Sequence, residues 1–456
     1  MKLKVLVCAY ACCAEEGGRF KGGEGTLGWN VIRQLARFHE VSVLTALRNR
    51  SGIQEELARE PVPGARFVYV DLPKWFQALH YAHGGIQIYA YVWQIKAYFV
   101  ARRLHKQRSF DAFHHVTYAN DWMASFIGAL LPIPYFRGPC GGAQYIPPRF
   151  LRRFSRRGRF WERVRAMGQK ILRNDPFFRL GQRRARAILV CTPEARATIP
   201  RRWRDKAELF PVNGITMEDL RLAEPHGRAE SMAEHASGNG SPSNGNPKEF
   251  RVLSAGKLLE LKAFDLAIRA FHRFAQNTPE ATFTLVGDGP ELARLNGLIA
   301  TFGLTGRARI EKWMPRVDLL REMARSDVFI FPSLRDGGGA VVIEAMAAGN
   351  PIVCLNLAGP GLHVTDTCGI RVAADSPDQA ARDMAEALVR LHADPELRLR
   401  MGKAARERVE QLYHWDRQGE RLLRIYRNVL GGPEQDVRDS QSSRQNHAER
   451  VPGFPA

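Results

Sequence analysis

Val328-Phe-Ile-Phe331-Pro-Ser-Leu-Arg-Asp336-Gly-Gly-Gly-Ala-Val-Val-Ile-Glu344-Ala-Met-Ala-Ala348-Gly-Asn-Pro351 holds one complete strand-to-helix unit. Four consecutive apolar residues, Val328 to Phe331, suit a strand buried on both faces, and Pro332-Ser333 ends it. Asp336 opens a loop of three glycines. A short helix is expected from Val341 to Ala348, stopped by Gly349-Asn350-Pro351 where the next apolar run begins. Buried strand, glycine loop, helix and second buried strand form the repeating unit of a parallel α/β sheet.

The unit recurs in both directions. Around it lie strand candidates Arg251–Ala255, Thr282–Val286, Ala308–Glu311, Pro351–Leu355 and Ile370–Val372. An earlier series comprises Lys4–Cys8, Glu40–Thr45, Arg66–Val70, Ala112–Val116, Pro134–Phe136 and Ala187–Cys191. Between the two series the character changes, and Gly238-Asn-Gly-Ser-Pro-Ser-Asn-Gly-Asn-Pro247 offers almost nothing to bury. The expectation is two Rossmann-like, doubly wound domains facing across a cleft. The first covers 1–217, a flexible linker or insertion 218–249 and the second domain 250–410. Helical periodicity runs from Pro395 to Leu430, with 411–430 as a C-terminal helix, and the polar, Pro-containing 431–456 reads as a disordered tail.

A chain of 456 residues is too long for one ordinary core and long enough for two. Sixty-seven Lys and Arg against 47 Asp and Glu give a net charge of +20, which favours anionic partners. Charge alone would admit nucleic acid, but no nucleic-acid module is recognisable, so none is expected as a partner. Cys8, Cys12, Cys13, Cys140, Cys191, Cys354 and Cys368 are an odd set without metal-ligand spacing, as suits a reducing cytosol. The apolar run after Met1 is about ten residues and leads into a glycine cluster, so it reads as a first strand rather than a signal peptide. The run Trp122–Phe136 is short and broken by Pro132 and Pro134, and no transmembrane helix is expected.

Several turns have the composition of anion sites. Gly22-Gly23-Glu-Gly-Thr-Leu-Gly28 stands between the first strand and a helix, where glycines allow close backbone approach and the helix start favours negative charge; a tight turn alone would also need them. A second strand ends in Gly256, followed by Lys257 and Lys262, which at the mouth of a cleft would supply point charges for a diphosphate; two lysines alone read as ordinary surface residues of a solvated loop. Gly287-Asp-Gly289-Pro repeats strand, glycine turn and helix, either as one wall of the same site or simply as a sharp turn. Gly337, Gly338, Gly339 and Ala340 would present bare amides to an anion or hydroxyl, and the carboxylates of Asp336 and Glu344 suit vicinal hydroxyls.

With these motifs in place the chain resembles the retaining glycosyltransferases of GT-B architecture usually called family 4, over most of its length. The family's Glu-x7-Glu stands here as Asp336 to Glu344. Lys257 occupies the position of its usual Arg, Lys262 that of its second basic residue, and Ala263 that of the following Gly. Gly287-Asp-Gly-Pro290, Asn213-Gly214 and His414-Trp-Asp416 through Tyr426 also match, the last as the helix that crosses back to the first domain. The resemblance implies a nucleotide-diphosphate sugar donor, no metal and no further cofactor. Lys257 and Lys262 would hold the diphosphate, Asp336 the transferred sugar and Glu344 the ribose. It also implies that His114 or His115, in Phe110-Asp-Ala-Phe-His114-His115-Val-Thr117, faces the reacting sugar, and that Arg137-Gly-Pro-Cys-Gly-Gly-Ala-Gln144 belongs to the acceptor side. The acceptor would be a glycan or a lipid-linked molecule. A nucleotide-sugar epimerase or a phosphorylase of the same fold are the rival enzymes.

Arginines are dense from Arg149 to Lys206, with Phe150, Phe154, Trp161, Val164 and Ile171 near helical spacing. Such a segment could lie on an anionic membrane, placing a cytoplasmic chain on the inner face, or pack its apolar stripe on the first sheet with its arginines in water.

Overall fold

The structure, a computed structural model, describes residues 2–13, 23–81, 85–224 and 249–431. The Gly238–Pro247 linker, Gly22 and the tail after Gly431 therefore lie outside the described residues. Two parallel sheets carry the chain. In the first, β1 (Lys4–Ala9), β2 (Glu40–Ala46), β3 (Ala65–Val70), β4 (Ala112–Thr117), β5 (Tyr135–Cys140), β6 (Ala185–Val190) and β7 (Ala207–Leu209) stand in the order β3-β2-β1-β4-β5-β6-β7. In the second, β8 (Phe250–Ala255), β9 (Ala281–Val286), β10 (Ala308–Glu311), β11 (Val328–Phe331), β12 (Ile352–Leu355) and β13 (Gly369–Val372) stand in the order β10-β9-β8-β11-β12-β13. Every expected strand is present with ends moved by a residue or a few; the three-residue edge strand β7 was not foreseen, since Ala-Glu-Leu carries no period.

The near-continuous apolar strands follow from helices covering both faces: β4, β5, β11 and β12 are buried at every position. Strand order reverses beside β1 and β4 in the first sheet and beside β8 and β11 in the second, and the crevices open beyond the carboxyl ends there. In the first crevice an added Cβ on Gly28 would lie 2.4 Å from the Ala11 carbonyl oxygen, so only glycine lets the Gly23–Ala36 helix pack this closely on the chain leaving β1.

Three connections tie the halves together. Residues 213–216 and 413–415 run side by side, with the Ile215 amide donating to Tyr413 O at 2.9 Å and the Trp415 amide to Ile215 O at 3.2 Å. The expected helix from Pro395 to Leu430 therefore breaks at this pairing, into Pro395–Leu412 and Trp415–Leu430. The second piece buries Trp415, Leu422, Ile425 and Tyr426 against the first sheet. The third connection is Ile146, Phe150 and Phe154. They precede residue 217, yet are buried in the core of the second sheet, each aromatic there contributing about 2 kcal/mol by burial. Arg153 pairs beside them with the buried Asp265.

The basic segment forms the Arg156–Leu172 helix, with Ser155 as its cap accepting from the Gly158 amide at 3.0 Å. Phe150 and Phe154 precede it and are buried. Its own apolar residues are not packed on the sheet: Phe160, Val164, Met167 and Ile171 are exposed, and the polar side faces inward. The reading in which the stripe packs on the first sheet is thus corrected, because the loop beneath the helix offers carbonyls rather than an apolar surface. No helix of the described residues is long and apolar enough to cross a membrane. All seven cysteines are unpaired, and six are buried.

Candidate functional site

The loop after β11 sits at the reversal point of the second sheet. Asp336 Oδ1 accepts from the Gly339 amide at 2.7 Å and the Gly338 amide at 3.2 Å, while Oδ2 pairs with Lys262 Nζ. Burial pushes the Asp336 carboxyl up, but the Lys262 ammonium and the two amides outweigh it and hold the group below its ordinary range. Both side chains keep about a sixth to a fifth of their surface exposed, Lys262 16% and Asp336 19%, so either charge can be offered to a ligand.

Lys262 ends a single turn, Glu260–Lys262, and its ammonium lies 5.1 Å from the Phe331 ring centre. The following Ala263, where the resembled family has glycine, stands in the left-handed region at φ 52°. Lys257 is exposed in the same loop. Gly256 has φ 148°. Gly287 and Gly289 serve this loop by packing: an added Cβ would fall 2.0 Å from Gly256 O or 2.5 Å from Leu258 O respectively. The Leu258 amide bonds Asp288 O at 2.9 Å. The two glycine turns thus lie backbone to backbone.

The triglycine loop is held from below by the Ala358–His363 helix. The Gly359 amide donates to Asp336 O at 2.8 Å, and His363 Nε2 lies 2.8 Å from Gly338 O with Nδ1 2.9 Å from Tyr413 Oη. Burial drives the His363 pKa down to about 4, so its ring is neutral near pH 7 and must donate from one nitrogen only. Sequence reasoning missed this residue, since no spacing links it to Asp336. Gly339, in the left-handed region at φ 51°, passes directly over His363, where an added Cβ would lie 3.2 Å from the ring. Ala340 opens the Ala340–Ala347 helix and is exposed.

Glu344 lies in the second turn of that helix and accepts from Arg316 Nε at 2.7 Å; Arg316 also pairs with Asp219. Asp219 in turn closes a capping box with Thr216. Arg316 was not anticipated, and it holds one oxygen of the carboxylate expected to meet a ribose.

Across the cleft, an added Cβ on Gly338 would lie 2.2 Å from Asn213 Nδ2, and one on Gly337 3.2 Å from Gln144 Nε2. Gly23, at the start of the first-domain helix, approaches Asn213 from the other side, 3.7 Å from Cβ to Oδ1. Asn213 therefore separates the first glycine turn from the third. Gln144 is buried and donates to Thr192 Oγ1 at 3.2 Å, which fixes the end of the Arg137–Gln144 segment; its first four residues are the end of β5 rather than loop. Beside it, Glu24 accepts from the Tyr118 amide at 2.9 Å. The Glu24 side chain is exposed at the surface, and the protein packed about it raises its pKa by desolvation, against the lowering effect of the Tyr118 amide.

The two histidines go elsewhere. His114 and His115 are both wholly buried. His114 Nε2 lies 2.8 Å from Gly138 O and Nδ1 3.0 Å from Tyr426 Oη, so its ring is clamped between β5 and the last helix. His115 projects to the opposite face beside Phe113, and neither ring nitrogen meets a partner in good geometry; the Thr117 backbone and the Arg137 charge are its polar surroundings. Burial lowers His114 to about 4, and burial with Arg137 lowers His115 to about 3. Neither ring is presented to the cleft as the sequence suggested. Among the described residues no group of three or more His, Cys, Asp or Glu could hold a metal ion.

Comparison with known proteins agrees with this layout. The family model described as glycosyl transferases group 1 matches residues 241–408. Alpha-D-kanosaminyltransferase of Streptomyces kanamyceticus is 27% identical over 54% of this chain and 61% of its own length. D-inositol 3-phosphate glycosyltransferase of Kribbella flavida is 34% identical over 38% of this chain and 42% of its own. The chain thus spans about half the length of these curated relatives. Among solved structures, sucrose-phosphate synthase from Thermosynechococcus elongatus superposes with a TM-score of 0.59 at 19% identity, covering 94% of this chain and all of that one. Anabaena HepE in complex with UDP and glucose gives 0.57 at 16% identity, covering 92% and 98%. The chain has the two-domain GT-B fold, and its residues 241–408 match the glycosyl transferases group 1.

Proposed function

We propose that the chain moves a hexose from a nucleotide-diphosphate sugar to a glycan or lipid-linked acceptor, with retention at the anomeric carbon. The observation that carries this reading is the Lys262–Asp336 pair folded over the Gly338 and Gly339 amides at the β8/β11 crevice, within contact of the first domain at Asn213 and Gln144. A cation beside a carboxylate that two loop amides already hold matches two parts of the donor, the diphosphate and the sugar hydroxyls. The UDP and UDP-glucose named with HepE support a nucleotide sugar as ligand of this fold.

In the reaction the bond from the anomeric carbon to the β-phosphate oxygen breaks, and the acceptor oxygen bonds that carbon on the same face. The acceptor's proton passes to the departing phosphate oxygen. Lys262, with Lys257 at the loop's edge, would neutralise the leaving diphosphate without a metal. Asp336, released from Lys262 when the diphosphate binds, would accept from a sugar hydroxyl. Glu344 would keep one oxygen for the ribose and one for Arg316.

Thermal-shift assays with UDP-, GDP- and ADP-sugars should show one donor raising the melting temperature, by about 2.7 kcal/mol of added stability at a hundredfold excess over Kd. Mass analysis with and without acceptor separates transfer from epimerisation. Lys262→Ala should keep the fold and lose both the shift and the transfer; unimpaired transfer by this variant would refute the assignment.

A further inference from the structure

The Arg156–Leu172 helix turns its polar side inward and its apolar side out. Inward, Arg165 donates to Gln144 O at 2.9 Å, Gln169 to Gly142 O at 3.1 Å, and Glu162 pairs with Arg165 and with Arg335, the residue before Asp336. Just past the helix, Arg173 donates to Tyr145 Oη at 2.9 Å and pairs with Asp121. Outward, Phe160, Val164, Met167 and Ile171 follow one another at steps of four, three and four and form a single row, exposed by 59, 41, 65 and 64%. A row of large apolar side chains left in water marks a contact surface.

The charge around the row selects what covers it. Residues 148–174 contain ten Arg and Lys and one acid, Glu162, which is turned inward. Arg156, Arg157, Arg163 and Lys170 are exposed beside the apolar row. A second copy of the chain would set like charges against like, whereas an anionic surface meets them with opposite charge.

We propose that this face docks on a bilayer containing anionic lipid, with the apolar row in the headgroup–acyl boundary and the arginines among the phosphates. The same helix grips the 142–144 carbonyls and Arg335, so docking sets the mouth of the cleft against the membrane surface. That consequence rests on the transfer reading, because it is there that a lipid-linked acceptor would arrive; the docking does not.

The test is co-sedimentation of the full chain with vesicles of phosphatidylcholine alone and with about a third phosphatidylglycerol. Binding is expected to the second and not the first. The exposed-row variant Phe160→Ser/Met167→Ser/Ile171→Ser should bind about tenfold less or weaker still, with an unchanged melting temperature. Arg156→Glu/Arg157→Glu/Arg163→Glu should lose binding as well. Failure of the wild type to sediment with anionic vesicles, or equal binding by both variants, overturns the proposal. So does a wild-type dimer, seen by sedimentation velocity, that the serine variant splits, since that gives the face to a second copy. Vesicle binding without stabilisation by any nucleotide sugar would support the docking face and remove the transfer reading instead.

Discussion

The ends of β4 and β11 stand at equivalent places in the two sheets, beside the reversal of strand order, and they use their polar residues in opposite ways. His114 and His115 lie inside the ladder of β4, which runs to Thr117, so their rings must go one to each face of a sheet that helices cover. Asp336 lies five residues past the end of β11, in a loop free to fold its carboxylate back over its own amides. A polar residue near a strand's carboxyl end reaches the crevice only once the ladder has ended. In the first sheet that condition is met by Tyr118, whose amide holds Glu24, and not by the histidines.

The sharpest way to break this contrast is Asp336→Asn, which keeps size and amide contacts but removes the charge. Transfer should fall about a hundredfold or more while the melting temperature barely moves. Second in size are the glycine turns: Gly287→Ala, with its Cβ 2.0 Å from Gly256 O, should cost about 3 kcal/mol in chemical denaturation, and Gly28→Ala, at 2.4 Å from Ala11 O, a comparable amount. His114→Ala tests the other side. It removes the bonds to Gly138 and Tyr426 and leaves a cavity, so stability should drop by about 2–3 kcal/mol with turnover per folded molecule retained. A tenfold fall in kcat for that variant would return the histidine to the reaction.

Smaller effects follow from acid and from one backbone angle. His114 and His363, lowered to about 4, and His115, lowered to about 3, are neutral when folded, whereas the unfolded chain protonates them near 6.5. Their contribution is present in full above the unfolded value and is lost as pH falls from 6.5 toward 4, because the unfolded chain binds more protons there. Melting temperatures across that range should decline, and His115→Leu should flatten the decline. Ala263→Gly, which relieves the left-handed φ of 52°, should add up to about 1 kcal/mol.

Much of this was legible in the chain. Apolar runs placed the strands because parallel strands are buried on both sides. The glycine turns and Lys262 stood out because backbone crowding and charge leave residue-type marks. The partners of Asp336 and Glu344 did not. His363 bonds Gly338 two residues beyond Asp336 and Arg316 bonds Glu344, both through tertiary packing, and these separations of 25 and 28 residues fit no local period. The Arg156–Leu172 helix shows the limit most clearly. Periodicity revealed a stripe, but which side faces in depends on what lies beneath, and the carbonyls of Gly142 and Gln144 accept from Gln169 and Arg165.

Tyr426 stacks on Phe136 with ring centres 4.1 Å apart, and its helix covers one face of a sheet whose last strand ended at Leu209. The ribosome therefore delivers all seven strands of that sheet about two hundred residues before their cover. At ordinary elongation rates this is an interval of roughly ten to forty seconds. Until then Phe136 lacks the ring that stacks on it, and the first half of the chain completes its core only with the last helix.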